Sequence, residues 1–367
     1  MKNVNDFNII SAKNCFFTQL DIIVSTSCNM ECRYCYQNNL KRSSCTLKEE
    51  YIKRILSIII RDINEHKSFY ENIGFGITIL GGEAFLYPEV VLSALKVIYL
   101  SFQSLDWLNL SINIDTNASV LNEKIIDILH YATENFKSVK VNVSFDGIDQ
   151  TAERTSNDSL TKRVRKNLSL IVKISKVLGY NVHIRTAITH KTYYNLYNSY
   201  TYIYNTTGII PTFYWVKEEE KKEFKIFSEQ IDKIANEISS SNEYIYQALK
   251  NDIFRISKPA VCNIYKRVLT ILPTGDITWC SFNYFKNPEF IAGNIDTLDS
   301  IEEIRSKLKN IIQDKPYLIS CSINDCEKCE DKTNYYECYK YVSKLYDKWL
   351  TQVDTKNLYY IRNNDDV

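Results

Sequence analysis

Over its first 216 residues the chain alternates short runs of β-branched and aromatic residues with longer amphipathic stretches, a pattern that leaves few choices of fold. The short runs predict strands, and the longer stretches predict crossover helices that return the chain to a parallel sheet. Six such repeats favour an open or partial barrel. We therefore predict an α/β protein built on a partial (β/α)6 barrel, with its active residues at the C-terminal strand ends. The predicted strands cover residues 20–24, 76–80, 110–114, 139–144, 182–188 and 212–216.

The rest of the sequence changes character after this region. Pro273 and Gly275 supply the turn chemistry for a hairpin over residues 268–280. Near the start of the chain, Thr46 is predicted to cap the first helix, with Glu49 in the capping-box position. The predicted segments are a barrel domain at 1–216, a charged helical connector at 217–260, a cysteine-rich α+β domain at 261–345 and a C-terminal tail at 346–367.

The balance of charge excludes some classes of partner. Forty-five Lys and Arg residues against 44 Asp and Glu residues leave a formal charge of +1, so no overall field would attract nucleic acid or an anionic membrane. The longest apolar run, residues 55–60, is far shorter than the roughly 18 residues that a membrane span requires. The N-terminal segment lacks the apolar stretch and cleavage site of a secretory signal. We expect a cytoplasmic protein with neither a nucleic-acid nor a membrane partner.

Eleven cysteines stand in the sequence, an odd number in a long chain without an export signal, which favours reduced thiols over disulfides. Nine of them fall into two groups on either side of the cysteine-free segment 46–261, and only Cys15 and Cys45 belong to neither. Two separate metal-binding regions are therefore predicted. The first group is Cys28, Cys32 and Cys35, and the second is Cys262, Cys280, Cys321, Cys326, Cys329 and Cys338.

The first group follows the first predicted strand directly, which would place three thiolates in one loop at the barrel mouth. A structural zinc ion prefers four protein ligands, and no fourth is obvious here unless Cys45 folds back. A four-iron cluster normally takes four thiolates, so three would leave one iron open to a ligand from outside the protein. A zinc loop and a set of unrelated buried thiols stand as the alternatives.

The first three cysteines have the spacing CxxxCxxC, with Tyr34 immediately before the third. This segment resembles the signature of the radical S-adenosylmethionine enzymes. The resemblance implies a [4Fe-4S] cluster whose free iron is chelated by the amino and carboxylate groups of S-adenosylmethionine. In that family the aromatic residue, here Tyr34, packs near the adenine of the cofactor.

Three later strand ends extend the resemblance. The second predicted strand ends in GGE, whose glycines in the family let backbone approach the methionyl ammonium and whose carboxylate accepts a hydrogen bond from it. The third is followed by Thr-Asn, but Ala118 replaces the glycine that relatives carry next. The fourth closes on a sequence similar to the Ser-x-Asp-Gly of peptide-modifying relatives, whose polar groups lie near the ribose and methionyl portions. The resemblance thus assigns cofactor binding to Tyr34, Gly81, Gly82, Glu83, Thr116, Asn117, Ser144, Asp146 and Arg154.

Three arginines are candidates to bind the cofactor carboxylate, and each could do so through two hydrogen bonds. Relatives have a His-Asp-x-x-Arg segment at this point of the chain, and here Arg154 is its one matching residue. Arg165 and Arg185 are the other candidates, and Arg165 also suits a solvated helix position.

The second cysteine group resembles the opening of the SPASM domain, which carries auxiliary iron-sulfur clusters. Cys262 and Cys280 flank the predicted hairpin, and a Gly-Asn-Ile sequence follows. The later cysteines depart from the family spacing, and six ligands cannot fully coordinate two four-iron clusters. One auxiliary cluster, as in the shorter twitch variant, or two clusters with open irons remain as alternatives, with a zinc ribbon as the structural alternative.

The resemblance covers about residues 20–340 and carries a reaction with it. A reduced cluster passes one electron to the sulfonium, and the 5′-deoxyadenosyl radical that results abstracts a substrate hydrogen. Most relatives with this layout modify peptides or proteins, frequently ribosomally made natural-product precursors, so we expect a maturase that forms a crosslink, a thioether or a related oxidation. The expected partners are the peptide or protein substrate and a flavodoxin- or ferredoxin-type reductant. Since only 27 residues precede Cys28, fewer than the leader-binding domain of many relatives needs, we expect recognition of the peptide by the barrel rim, by the C-terminal region or by a separate leader-recognition protein.

Three alternatives stand beside this expectation. Anaerobic sulfatase maturases, which generate formylglycine, place an aspartate just after a C-terminal cluster cysteine, where this chain has Ser281. An iron-sulfur electron carrier would need clusters but no GGE motif, and it would not cleave S-adenosylmethionine. A zinc-dependent nucleic-acid-binding module would need a basic face, and the local basic residues at 162–166 are better explained as one side of a charged helix.

Overall fold

The fold is that of a computed structural model, which describes residues 16–35, 37, 42–216, 223–250, 253, 268–278, 291–314 and 332–352.

Six parallel strands form the centre of the molecule, in the order β6-β5-β4-β3-β2-β1, which is the order of the chain. Each lies within two residues of the strand predicted from the sequence, so the predicted α/β barrel sheet is confirmed. The strands are β1 (Gln19–Ile23), β2 (Phe75–Leu80), β3 (Leu110–Thr116), β4 (Ser138–Ser144), β5 (Asn181–Ile188) and β6 (Thr212–Trp215).

Helices connect these strands and pack against one side of the sheet. In the first helix Ile52, Ile55, Leu56, Ile59 and Ile63 recur at helical spacing, and all five are buried. They share one apolar core with alternate residues of the strands. The helices are α1 (Glu49–Glu65), α2 (Lys67–Ile73), α3 (Pro88–Phe102), α4 (Glu123–Asn135), α5 (Gln150–Glu153), α6 (Asp158–Leu178), α7 (Leu196–Thr207), α8 (Phe224–Ser239), α9 (Asn242–Lys250), α10 (Ile301–Asp314) and α11 (Lys332–Gln352).

The predicted cap of the first helix is wrong. Helix α1 begins at Glu49, and the residue before it, Lys48, makes no side-chain cap hydrogen bond. Thr46 instead forms an antiparallel bridge with Ser25, and the Leu47 amide donates to the Val24 carbonyl across 2.9 Å. The helix cannot start at Thr46 because this stretch is held extended against the end of β1.

The predicted hairpin is present, and it belongs to the same sheet. Strand β7 (Val268–Ile271) pairs in parallel with β1, and β8 (Asp276–Thr278) and β9 (Ile291–Asn294) follow antiparallel, giving nine strands among the described residues. Gly275 has φ 85° in the turn, a conformation that suits glycine. The hairpin thus extends the barrel sheet beyond β1, a pairing that no local sequence signal indicates.

A second apolar core lies at the β6 end, where helices α7, α8, α9 and α11 pack together. Tyr200, Phe227 and Trp349 are fully buried in it. Helix α11 continues to Gln352, so the chain is helical beyond residue 346. Among the helices of the described residues, none combines the length and the apolarity needed to cross a membrane.

Candidate active site

The loop that follows β1 carries the first three cysteines at the C-terminal edge of the sheet. Cys28, Cys32 and Cys35 are reduced and half-buried. The Cys35 amide donates to the Cys32 carbonyl across 3.1 Å, which closes a turn between them. Burial raises the pKa of the Cys28 thiol, and it raises the pKa of Cys32 to about 11, although the positive charge of Arg154 acts in the opposite direction. A metal bound here would have to displace thiol protons.

Nitrogen donors converge on two of these sulfurs. The Met30 amide lies 3.4 Å from the Cys28 Sγ, and Asn117 Nδ2 lies 3.7 Å from the same sulfur. Arg154 Nη1 lies 3.8 Å from the Cys32 Sγ. Hydrogen bonds of this kind stabilise metal-bound thiolates and tune iron-sulfur clusters. The three thiols and their donors therefore fit a cluster that leaves one coordination position open.

The two glycines after β2 let their backbone lie directly against the cysteine loop. A Cβ on Gly81 would lie 2.6 Å from the Ser25 carbonyl oxygen, and a Cβ on Gly82 would lie 2.2 Å from the Ser27 carbonyl oxygen. The amides of Gly82 and Glu83 donate to these same two oxygens, each across 2.9 Å. In this structure the close approach that needs glycine is between two loops of the protein.

Glu83 is buried and accepts three hydrogen bonds from the chain. Its Oε1 accepts from the Phe85 amide at 3.1 Å and from the Thr116 hydroxyl at 2.7 Å, and its Oε2 accepts from the Asn117 amide at 2.6 Å. Burial raises the pKa of Glu83 to about 7, and these donors moderate the rise. The carboxyl group thereby joins the end of β3 to the GGE loop. Four lone-pair sites on a carboxylate leave room for a further donor.

The residue that departs from the family pattern after β3 adopts a strained conformation. Ala118 has φ 58°, in the left-handed region that favours glycine, and it is fully buried. Hydrogen bonds hold this conformation in place, because the Ala118 amide donates to the Thr116 hydroxyl at 3.0 Å and its carbonyl accepts from Asn167 Nδ2 at 2.9 Å. The backbone therefore keeps the glycine-like shape although the side chain has changed.

Asp146, Arg154 and Tyr34 form one buried network beside the cysteines. Asp146 Oδ2 accepts from the Tyr34 hydroxyl at 2.6 Å and from Arg154 Nε at 3.0 Å, and its Oδ1 accepts from the Ala187 amide at 3.0 Å. Asp146 and Arg154 are both buried, and the Arg154 guanidinium also lies over the Tyr34 ring. Burial raises the pKa of the Tyr34 hydroxyl, so this group stays protonated and donates.

The structure separates the three arginines that the sequence left open. Arg154 lies against the cysteine loop. Arg185 pairs with Asp115 across 2.9 Å on the side of the sheet away from the helices. Arg165 lies over the Tyr202 ring at 5.3 Å. Of the predicted cofactor residues, Ser144 ends β4 opposite Arg185 and is half-buried.

Sequence reasoning missed two polar residues of this region. Tyr214, on β6, lies 3.5 Å from Arg154 Nη2 through its hydroxyl and packs edge-on against Tyr34. Asn29, inside the cysteine motif, accepts from Asn117 Nδ2 at 3.1 Å and donates to the Ser119 hydroxyl at 2.8 Å. The signal for Tyr214 was its position near the end of the sixth predicted strand, but no motif distinguished it from the many other tyrosines.

A cavity of about 500 Å³ adjoins the cysteine loop, a volume that suits a small-molecule ligand. Its lining includes Cys28, Arg33, Arg42, Glu153 and Asn157, so charges of both signs face it.

Most of the second cysteine group lies outside the described residues. This holds for Cys262, Cys280, Cys321, Cys326 and Cys329. Cys338 lies within helix α11, and its side chain is outside the described part of the structure.

The site thus consists of a parallel barrel sheet with three thiols in the loop after its first strand. Residues 22–190 match the family model of the Radical SAM superfamily. The superfamily implies a [4Fe-4S] cluster and S-adenosylmethionine as cofactors. No curated protein matches the chain.

Solved structures are similar to the chain over most of its length. Polyhistidine-tagged anSMEcpe with bound AdoMet has a TM-score of 0.64 at 15% identity, covering 94% of this chain and 98% of that one. Native anSMEcpe with bound AdoMet and Cp18Cys peptide has a TM-score of 0.63 at 16% identity, covering 91% and 99%. Streptococcus suis SuiB bound to S-adenosylmethionine has a TM-score of 0.51 at 13% identity, covering 91% and 73%. At these identities the likeness shows a shared fold, which agrees with the SPASM-type resemblance.

Proposed function

We propose that this protein is a radical S-adenosylmethionine maturase that abstracts hydrogen from a peptide or protein substrate, such as a ribosomally synthesised natural-product precursor. The observation that carries the proposal is the convergence of N–H donors on Cys28 and Cys32 in a loop that offers three thiols. Cys28, Cys32 and Cys35 would hold the [4Fe-4S] cluster. With S-adenosylmethionine bound, the reduced cluster supplies the electron that yields the 5′-deoxyadenosyl radical.

The residues around the cysteines have separate tasks in this proposal. Asp146 accepts hydrogen bonds from both Tyr34 and Arg154, so its part in the proposal is to orient the Arg154 guanidinium. Arg154 would receive the cofactor carboxylate, a role supported by the position of its Nη atoms near Cys32 and Tyr214. Glu83 retains acceptor capacity for an ammonium group, and Gly81 and Gly82 hold its loop against the cysteines. Enclosure by these groups would keep water from the reacting atoms.

A peptide substrate is supported by the fold shared with anSMEcpe, which was solved with the Cp18Cys peptide. One or two auxiliary iron-sulfur clusters at the C-terminal cysteines would accept the electron left on the substrate, which suits a net oxidation such as crosslink or thioether formation. A flavodoxin- or ferredoxin-type protein would reduce the first cluster. This chemistry would take place in the cytoplasm, with the peptide recognised by the barrel rim, by the C-terminal region or by a separate leader-recognition protein.

The test is anaerobic purification with iron and sulfide counts, followed by dithionite reduction with S-adenosylmethionine and an assay for 5′-deoxyadenosine. We expect brown protein that forms 5′-deoxyadenosine, and a Cys32→Ala variant that forms none. Cys45→Ala is the matched control, because Cys45 is an exposed thiol on a neighbouring loop, and it should behave as wild type. An iron content above about four per chain would show that auxiliary clusters are also bound. Iron-loaded protein without cleavage would favour an electron carrier, and colourless, zinc-loaded protein would favour a binding module.

A further inference from the structure

The two faces of the parallel sheet differ in character. On the side packed by helices, Leu20, Ile22, Ile77 and Ile112 are fully buried. The residues that alternate with them point to the inner side of the barrel and are mostly polar. We call this side the inner face, defined by Gln19, Asp21, Thr78, Asp115, Asn142, His183 and Arg185.

The inner face keeps access to solvent. Gln19, Asp21 and His183 are half-buried, and the side chains of Asp115 and Arg185 are 25% and 32% exposed. Parallel sheets are normally covered on both faces, and barrel interiors are normally filled with branched apolar side chains. An open polar interior is therefore suited to receiving a polar ligand.

The two carboxyl groups of this face have different surroundings. Asp115 is held by Arg185 Nη1 at 2.9 Å and by Asn142 Nδ2 at 2.6 Å. Asp21 accepts hydrogen bonds from two uncharged side chains, Gln19, whose Nε2 lies at 2.6 Å, and Thr78. Within the described residues no Lys, Arg or His nitrogen lies within ion-pair distance of Asp21. The inner face thus contains one carboxyl that is neutralised by a cation and one that is not.

The pKa of Asp21 reflects its lack of a cationic partner. Burial raises the pKa of Asp21 to about 7, and the negative charge of Asp115 adds to the rise, whereas the Gln19 and Thr78 hydrogen bonds and the more distant Arg185 oppose it. Two further titratable groups lie on this face. His183 is hydrogen-bonded to Asn142 at 3.1 Å and to Thr212 at 2.6 Å, and Lys140 is exposed on β4.

The inner face leads directly to the cysteine site. Asp115 and Asn117 have the same parity on one chain segment, and Asn117 Nδ2 lies 3.7 Å from the Cys28 Sγ. Asp21 is on β1, whose end leads into the cysteine loop. A ligand lying along this face would therefore reach the atoms at which the proposed radical chemistry takes place.

We propose that the inner face binds a basic side chain of the substrate peptide, a lysine or an arginine, and that Asp21 is the group that pairs with it. An ammonium or guanidinium group would supply the cation that Asp21 lacks, with Asn142 and the Asp115–Arg185 pair beside it. A substrate carboxylate would instead meet Asp21 and compete with Asp115 for Arg185. This inference rests on the proposed function in taking the substrate to be a peptide.

The experiment selects phage-displayed random heptapeptides on anaerobically purified, cluster-loaded protein. We expect Lys or Arg to be enriched at one position on wild type and on an Asp127→Asn control, whose carboxyl is exposed on helix α4, but not on Asp21→Asn. A selected synthetic peptide should bind Asp21→Asn about tenfold more weakly, the effect expected from losing one charge-assisted hydrogen bond.

Two further measurements do not depend on how well the variant folds. Acetylating the selected lysine should weaken binding to wild type to a similar extent. The affinity of the peptide for wild type should increase as pH rises from about 6 to about 8. The ionised carboxylate of Asp21 binds the cation, and protonation at lower pH removes the negative charge. The acetylated peptide should lack this dependence.

Selected peptides without basic residues, the same enrichment on Asp21→Asn, or no enrichment on wild type would each overturn the inference. The iron count and the 5′-deoxyadenosine assay on the same preparation report separately on the proposed function. Protein that cleaves S-adenosylmethionine but selects no basic peptide refutes only this inference. Protein that selects basic peptides through Asp21 without cleaving S-adenosylmethionine refutes the radical chemistry instead.

Discussion

Arg154 Nε donates to Asp146 Oδ2 across 3.0 Å, and both side chains are almost completely excluded from solvent. A buried ion pair gains from mutual attraction what its two charges lose in hydration, so removing one partner leaves an uncompensated charge. The pair also carries a functional consequence, because the same guanidinium reaches Cys32.

Replacing Asp146 should therefore affect both stability and the cofactor site. Asp146→Asn keeps the shape of the side chain but removes its charge, and we expect the free energy of unfolding to fall by about 3 kcal/mol. The dissociation constant for S-adenosylmethionine should rise about tenfold as Arg154 loses its orientation. Urea unfolding and equilibrium binding measure the two effects. Asp158→Asn, at an exposed position in the first turn of α6, is the control, and an Asp146 variant matching it in both assays would refute the positioning role.

The glycine at position 82 should be required for assembly of the metal site. In Gly82→Ala the new Cβ would meet the Ser27 carbonyl oxygen, so the cysteine loop must move, and we expect most of the bound iron to be lost. Gly208→Ala is the matched control, because that glycine has φ 72° with no atom near its Cβ position. It should cost about 1 kcal/mol of stability and keep its iron. Equal iron content in both variants would show that the loop tolerates displacement.

The left-handed backbone at Ala118 predicts an unusual tolerance of glycine. Ala118→Gly relieves about 1 kcal/mol of backbone strain, which offsets most of the loss of a buried methyl group. Ala132→Gly, equally buried in the last turn of α4, has no strain to relieve and also loses helix propensity. We expect the Ala132 variant to be less stable than the Ala118 variant by about 1–2 kcal/mol in chemical unfolding. Similar losses in the two variants would contradict the strain.

The C-terminal part of the chain is joined to the barrel by a second buried ion pair. Arg305 of α10 donates to Asp62 of α1 across 2.7 Å, and Tyr70 donates to the same carboxylate oxygen at 2.8 Å. Arg305→Met should lower the free energy of unfolding by about 3 kcal/mol. Arg54→Met breaks an exposed pair with Asp299 and should change it by no more than about 0.5 kcal/mol. If thermal or urea unfolding does not separate the two variants, the Asp62–Arg305 contact adds little to the attachment.

Much of the barrel could be predicted because its signals are local. The strands were placed to within two residues, since each is a short β-branched run between turn-forming residues, and the cysteine motif follows the first of them. The cap at Thr46 failed for the opposite reason. Its local sequence suits a helix start, but a pairing with Ser25, distant along the chain, holds it extended.

The positions of the six strands and of the loop that carries Cys28, Cys32 and Cys35 were determined by sequence alone, because each depends on neighbours in the chain. The position of Arg154 beside Cys32, its ion pair with Asp146 and the addition of β7 beside β1 were decided only by tertiary structure. The same holds for the carboxyl of Asp21 on the inner face. In each case the controlling energy is a desolvated charge or a hydrogen bond between residues far apart in sequence, and packing alone determines which groups meet.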